Sequence, residues 1–252
     1  MAEINSNEAL MVWIMNRLSE VFNEHAILKG GMVLRLLDCP RYTNDLDYVF
    51  IPYTSNKDIL PLIIKVLNEL NDTKINYSFH STCLRIMVVY KDFKIQIEST
   101  VDKYCKAIGL STSSLAKPNN QLPRIIQVMS FDVALAHKMA AWNERNLMRD
   151  LYDIYFIHSV LNEMPDEEVL RKRLGAISYT QGAQSKKQTK KMTIKEFLEK
   201  LTLAIEELTQ KSLENELRDY FNPIEFPGLD KKIKIGIRSL IDKISQRYKE
   251  RR

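Results

Sequence analysis

The chain has 252 residues, 45% of them apolar, a net charge of +5, three cysteines and four histidines. That length permits one large domain or two modest ones with ample core, and the charge is too small to imply a nucleic-acid partner from composition alone. The cysteines Cys39, Cys83 and Cys105 are odd in number and form no CxxC pair, which with four scattered histidines excludes a disulfide framework and a zinc site as expectations.

The N-terminus, MAEINSNEAL, lacks the basic and apolar regions of a signal peptide, and no apolar run reaches transmembrane length. A cytoplasmic location away from membranes is therefore expected. Leu10, Trp13, Ile14, Leu18, Val21 and Phe22 recur at helical spacing and predict an amphipathic helix over 8–24 that lies on a sheet. Ala26, Ile27 and Leu28 predict a short buried strand, and Gly30-Gly31 stands where it must turn into a helical run, Met32 to Leu37. Glycine permits positive φ and close approach of a ligand, and the free N–H groups opening a helix point at an anion. The same pair also suits a plain strand-to-helix turn.

Asp45-Leu46-Asp47-Tyr48-Val49-Phe50-Ile51 alternates, so a strand places Asp45, Asp47 and Val49 on one face and Leu46, Tyr48 and Phe50 on the other. Two carboxylates two residues apart on one strand face repel each other unless a cation joins them. Mg²⁺ suits them, since it prefers carboxylate oxygen and keeps positions open for substrate phosphates. Pro52 ends the strand, Ile59 to Leu70 reads as a second helix, and Ile75 to Phe79 starts an antiparallel portion. Cys83 to Tyr90, Lys91-Asp92 and Phe93 to Glu98 read as a hairpin, with Lys94, Gln96 and Glu98 sharing a face. If that arm lies beside the Asp45 strand, three acids converge, enough for two metals about 3.5–4 Å apart.

Val101 to Pro123 is polar and irregular, the expected hinge between a catalytic domain at 1–115 and a helical part at 116–252. Ser130 is the expected N-cap of a helix from Phe131 to Asn146. On its wheel Lys138, Trp142, Arg145 and, if the helix continues, Arg149 form a basic stripe opposite Val133, Ala136, Ala140 and Leu147. A cationic stripe facing the carboxylates across a cleft would hold triphosphate charge; facing solvent, it is only a charged helix surface. Arg149 and Asp153 are spaced for a weak helix ion pair.

Pro165-Asp166-Glu167 predicts a helix start and Gly175 a stop. Thr193-x-x-Glu196 is a capping box, Ser212 a further cap, and Pro227-Gly228 precedes a last helix carrying Ile233, Ile237, Leu240, Ile241 and Ile244. Residues 176–191 are polar and read as mobile. Residues 171–200 gather Arg171, Lys172, Arg173, Lys186, Lys187, Lys190, Lys191, Lys195 and Lys200 against Glu196 and Glu199, a cluster able to neutralise nucleic-acid phosphates or simply to be solvated.

The order apolar residue, Gly-Gly, a gap of thirteen residues, Asp-x-Asp and an acid on a later strand resembles the nucleotidyltransferases of the DNA polymerase beta superfamily. Within it, Lys29-Gly30-Gly31, Arg35, Arg41-x-Thr43-x-Asp45-x-Asp47 and Lys138…Arg145…Arg149-Asp150…Asp153 resemble the AbiEii/AbiGii branch, toxins of toxin–antitoxin and phage-defence systems. The resemblance spans residues 25–160, departs in having Glu98 where aspartate is usual, and finds no motif in the last stretch of the chain. It implies an α+β (α/β) fold, a mixed sheet flanked by helices followed by a helical C-terminal part. It also implies transfer of a nucleoside monophosphate from a nucleoside triphosphate to an acceptor hydroxyl, with RNA, tRNA ends in particular, as acceptor and a cognate antitoxin as partner. Asp45, Asp47 and Glu98 would hold Mg²⁺, or Mn²⁺ in its place, with Glu98 also near the attacking hydroxyl. Lys29, Gly30, Gly31, Arg35, Lys138 and Arg145 would bind the nucleotide. Asp150 would orient Lys138 or help deprotonate the acceptor.

Two other readings compete. Asp-x-Asp also occurs in glycosyltransferases that hold a nucleotide-sugar through a metal, although the Gly-Gly turn and the basic helix argue against that class. The chain could also be a degenerate nucleotidyltransferase fold that binds nucleic acid or a protein through segment 171–200.

Overall fold

Alternation of apolar and polar residues in the first half of the chain dictates a sheet with one oily face. The computed structural model describes residues 4–80, 82–176, 179–182, 185–188 and 191–250, and the chain divides into two units, Met1–Ser130 and Phe131–Arg252. Among the described residues the first unit builds one seven-stranded mixed sheet, in the order β3-β4-β5-β2-β1-β7-β6. Its strands are β1 (Ala26–Lys29), β2 (Asp45–Phe50), β3 (Lys74–His80), β4 (Cys83–Tyr90), β5 (Phe93–Val101), β6 (Ala107–Ser111) and β7 (Ile125–Met129). β2 runs parallel to β5 and β1 parallel to β7; the other neighbours are antiparallel.

These registers put Leu28, Leu46, Tyr48, Phe50, Leu84, Ile86, Val88, Ile95, Ile97 and Val128 on one face, all buried. Helices α1 (Asn7–Phe22) and α3 (Asn56–Leu67) cover it with Leu10, Ile14, Leu18, Ile59 and Ile63, and the Phe22 and Phe50 rings meet at 4.7 Å. Burying that many aliphatic and aromatic side chains, at about 1.5–3 kcal/mol each, is what holds the layers together. The opposite face collects Lys29, Asp45, Asp47, Gln96, Glu98, Thr100, Cys83 and Arg85.

Helix α3 starts at Asn56, earlier than its apolar spacing suggests, because Ser55 and Asp58 form a capping box: Ser55 Oγ accepts from Lys57 N–H, and Asp58 from Ser55 N–H at 3.2 Å. The stretch 101–123, read as irregular, contains β6 and the short helix α4 (Ser113–Ala116). Ala-Ile-Gly-Leu-Ser has little strand propensity, so β6 owes its form to pairing with β7, an instance of tertiary context overriding local preference.

The second unit contains α5 (Phe131–Arg145), α6 (Met148–Tyr155), α7 (Glu167–Leu174), a hairpin of β8 (Tyr179–Gly182) and β9 (Ser185–Gln188), α8 (Ile194–Glu207), α9 (Gln210–Leu217) and α10 (Leu229–Glu250). The capping box at Thr193 and Glu196 forms as read. Helix α9 is capped by Thr209, with Ser212 as its reciprocal partner three residues on, rather than by Ser212 itself. Ser130 does not cap α5, since its Oγ is buried without a hydrogen-bond partner. Helix α5 does not run on to Arg149: Asn146 takes φ 53° and donates its N–H to Trp142 O at 2.7 Å, closing the helix. Of the stretch read as mobile, residues 177–178, 183–184 and 189–190 lie outside the described residues; so do Lys190 and the side chains of Lys186 and Lys187 from the basic cluster. Among the described residues no helix is long and apolar enough to cross a membrane.

A π-helical turn, Phe156–Val160, continues α6, and α10 packs against it through Gly236. A Cβ at that position would meet Ser159 Oγ and lie 2.7 Å from the Tyr155 ring. The serine can rotate away more easily than the ring, which packs edge-on against Tyr152. Gly236→Ala should therefore destabilise the protein by about 1–3 kcal/mol from overpacking, outweighing the gain of about 1 kcal/mol that alanine brings to a helix interior, as read by urea unfolding.

His158, 3% exposed, donates through Nδ1 to Glu163 O at 2.8 Å, with Nε2 3.4 Å from Ser239 Oγ on α10. Burial, helped by Lys243, holds its pKa below the ordinary 6.5, against the pull of the Glu163 carbonyl. The unfolded chain thus takes up the proton first, so this group's stability is present above 6.5 and lost as pH falls below it. The melting temperature should drop between about pH 7.5 and pH 5, and His158→Gln should show a smaller drop over the same range.

Candidate active site

The polar face of the sheet is organised by one glycine. Gly30 follows β1 at φ 78° and ψ −154°, a conformation that residues with a side chain rarely adopt. A Cβ there would also run into Oδ2 of Asp47. The Asp47 carboxylate thus lies directly on the turn, brought there because β1 and β2 pair with Lys29 opposite Asp47. Gly31 then opens α2 (Gly31–Leu36). That helix is six residues long, so its dipole is small, and what it offers an anion is its unpaired first N–H groups.

Gly31 is tightly packed as well: a Cβ on it would come within 2.5 Å of Arg41 Nη2. Arg41 is 5% exposed and donates to the Tyr42 carbonyl at 3.4 Å, so a buried cation stands beside the turn. Sequence reading quoted Arg41 only within the family run and gave it no role. Its two-residue steps to Thr43, Asp45 and Asp47 are the signal that it shares their neighbourhood. Asp45 is exposed at the start of β2, its N–H directed at Thr43 Oγ1 at 3.4 Å.

Glu98 is where the hairpin reading hoped to find it, but its carboxylate is engaged elsewhere. Parallel pairing sets Glu98 beside Asp47 and Gln96 beside Asp45. Glu98 Oε1, however, accepts from Arg85 Nε at 2.9 Å, from Arg85 Nη2 at 2.7 Å and from Gln96 Nε2 at 2.9 Å. Backbone register brings the three acids together; side-chain geometry does not, and among the described residues no three carboxylate, histidine or cysteine groups are arranged to hold a metal. The Asp45–Asp47 pair still fits Mg²⁺, which binds through one or two carboxylates and completes its shell with water and phosphate oxygen.

Cys83 reports on the same neighbourhood. Burial pushes its thiol pKa up, Glu98 and Asp47 add to the shift, and Lys29 and Arg85 oppose it. Lys29 is half-buried and also tempers Cys105, whose thiol burial and Asp102 push up to about 11. Arg35 is differently placed: it donates to Glu8 Oε2 and to Cys39 O, each at 3.3 Å, and stacks over Tyr42, tying α2 to α1.

In the second unit the residues read as a basic stripe form a neutralised network. Asp150 and Asp153 are fully buried, and buried carboxylates persist only when paired. Lys138 Nζ lies 2.6 Å from Asp153 Oδ2 and 3.6 Å from Asp150 Oδ1, while Arg145 clamps Asp150 through Nε at 3.0 Å and Nη2 at 2.7 Å. Asp153 is therefore the nearer partner of Lys138, and its pairing with Arg149 does not form. Arg149 donates to the Tyr220 hydroxyl at 3.3 Å instead. Trp142, placed by the helical wheel on the charged stripe, is 3% exposed, packed edge-on against Phe197 with Lys200 over its ring, because α8 covers that side of α5.

Two cavities lie away from Asp45, Asp47 and Glu98. One of about 350 Å³ is lined by Asn71, Asp72, Lys74, Val89, Tyr90 and Lys91, and one of about 250 Å³ by Leu147, Arg149, Glu216, Leu217 and Tyr220. The Asp45–Asp47 surface is a sheet face.

Comparison with known proteins bears on the family and the fold. The family model described as "Nucleotidyl transferase AbiEii toxin, Type IV TA system" matches residues 13–234. Among solved structures, JHP933 from Helicobacter pylori is similar with a TM-score of 0.55 and 14% identity, over 97% of this chain and 94% of that one. A second H. pylori protein, provisionally described as a nucleotidyltransferase, is similar with a TM-score of 0.52 and 16% identity, over 95% of each chain. At such identities the likeness shows the fold. No curated protein matches the chain. The family match covers well over half of the chain, and the chain belongs to the AbiEii family of nucleotidyltransferase toxins.

Proposed function

We propose that the protein transfers a nucleoside monophosphate from a nucleoside triphosphate to a hydroxyl of an RNA acceptor, tRNA ends in particular, and releases pyrophosphate. The observation that supports this reading is the Asp47 carboxylate lying on Gly30: in the proposed site Asp47 would be the metal-binding acid and the Gly30-Gly31 turn the phosphate cradle. Asp45 and Asp47 would hold Mg²⁺, or Mn²⁺, and when bound the ion would supply Lewis-acid stabilisation of the phosphoryl oxygens. The choice of RNA rests on the family resemblance, as does a place in phage defence. Membership of a toxin–antitoxin family implies a nucleotide substrate and a cognate antitoxin.

The chain's own groups divide the remaining work. N–H groups of Gly30 and Gly31 would bind triphosphate oxygens, with Lys29, next to Asp47 on the same face, adding positive charge. Arg41 would hold the turn in shape from beneath. Glu98, one strand from Asp47, would take the proton of the attacking hydroxyl as its oxygen bonds to the α-phosphorus and the bond to pyrophosphate breaks.

Asp47→Asn should lower metal-dependent incorporation of α-labelled nucleotide into RNA by about 10²-fold or more while leaving the circular dichroism and melting temperature near those of the unmodified protein. Full activity in a folded Asp47→Asn protein would remove Asp47 from the site. Gly30→Ala should do two things at once. Its strained φ and the methyl group pressed on Asp47 should cost about 1–3 kcal/mol of stability, and transfer should fall even at a temperature where the variant is folded. A stable, active Gly30→Ala would separate the turn from the chemistry.

A further inference from the structure

Glu98 and Arg85 are paired by more than chance proximity. They are direct cross-strand partners in the β4–β5 register, on the same face as Asp47. The guanidinium meets a single carboxylate oxygen through two N–H groups, and Gln96 donates to that same oxygen. The other oxygen, Oε2, is left for a different partner. Both side chains are part-exposed, 43% for Arg85 and 29% for Glu98, and an ion pair so placed is weak and readily exchanged.

The length of the side chain matters here. Neighbouring strands lie about 4.8 Å apart, so a carboxylate at position 98 must choose between the strand bearing Arg85 and the strand bearing Asp47. An aspartate has one torsion fewer and is held close to its own strand. A glutamate can reach either side by rotating about its Cα–Cβ and Cβ–Cγ bonds. Cross-strand pairing with Arg85 gives the longer acid at this position a physical reason.

We propose that Arg85 is a positioning residue that holds Glu98 off the Asp45–Asp47 pair in the resting protein and releases it when a divalent cation enters. This inference rests on the metal reading of Asp45 and Asp47. Bound cation attracts the Glu98 carboxylate and repels the guanidinium, so both charges favour the same exchange. Arg85, once released, is free for an anionic group of nucleotide or acceptor. Because the ion pair competes with the cation for Glu98, the pair lowers cation affinity in the resting protein.

The test is Mn²⁺ binding to the full-length protein without nucleotide, followed by the electron paramagnetic resonance of the free ion, for the unmodified protein, Arg85→Gln, Glu98→Gln and the double variant. Arg85→Gln should tighten Mn²⁺ binding by up to about fivefold, the equivalent of a lost ion pair of about 1 kcal/mol. In the Glu98→Gln background the same change should have no effect, since the competition it relieves has gone. Equal tightening in both backgrounds would overturn the proposal, because Arg85 would then act by simple repulsion of the cation. Unchanged affinity in Arg85→Gln would overturn it as well. Asp47→Asn, measured alongside, checks the underlying site separately: Mn²⁺ binding as tight as in the unmodified protein would remove the metal reading itself, whereas a loss of binding there with no response to Arg85→Gln leaves the site standing and removes only the role of Arg85.

Discussion

The close approach of the Asp47 carboxylate to Gly30 is the constraint on which the rest of the site depends. It requires a residue without Cβ at position 30, a positive φ, and an antiparallel register that sets Lys29 opposite Asp47. Each requirement is met by a different level of organisation. The glycine meets the first two locally. The register is fixed by the oily face of the sheet, because slipping β2 by one residue would turn Leu46, Tyr48 and Phe50 to the polar side and Asp45 and Asp47 into the core. The site geometry is thus enforced by the hydrophobic energy of the opposite face, even though none of those apolar side chains belongs to it.

The two units handle charge in opposite ways. On the polar face of the sheet, like charges are crowded: Asp45 and Asp47 stand two residues apart, Glu98 lies beside them, and the cations that temper them come from the neighbouring strands as Lys29 and Arg85. That arrangement is poor for stability and suited to binding a cation and an anion together. In the helical unit, Lys138 and Arg145 are matched by Asp150 and Asp153 within an interior where unmatched carboxylates would not survive. Removing one member of this network would leave a charge stranded.

Much of this was legible in the sequence. The glycine pair, the Asp-x-Asp strand and the hairpin arm carrying Glu98 were readable because each rests on local spacing, and local spacing determines which side chains share a face. The strands β7 and β6 were missed for different reasons: β6 owes its form to pairing with β7 rather than to its composition, whereas β7, Ile-Ile-Gln-Val-Met, is a strand by composition but too short to stand out between a polar stretch and a helix. Arg85 was missed because only the cross-strand register puts it opposite Glu98. The helical wheel grouped Lys138, Trp142 and Arg145 correctly on one side of α5, but a wheel carries no information on what covers that side. Here α6 supplies two aspartates that pair Lys138 and Arg145, and α8 a phenylalanine that covers Trp142, so the charges are matched although Arg145 itself stays exposed.

Nucleotidyl transfer to RNA is the activity proposed for this sheet face. Its most direct test is to incubate the purified protein with Mg²⁺, total cellular RNA and each α-³²P nucleoside triphosphate in turn, and to resolve the products on a denaturing gel. Label on a discrete RNA band is expected, with loss of that label when EDTA is present. Absence of label on RNA with every nucleotide, from protein that is folded and supplied with metal, would contradict it.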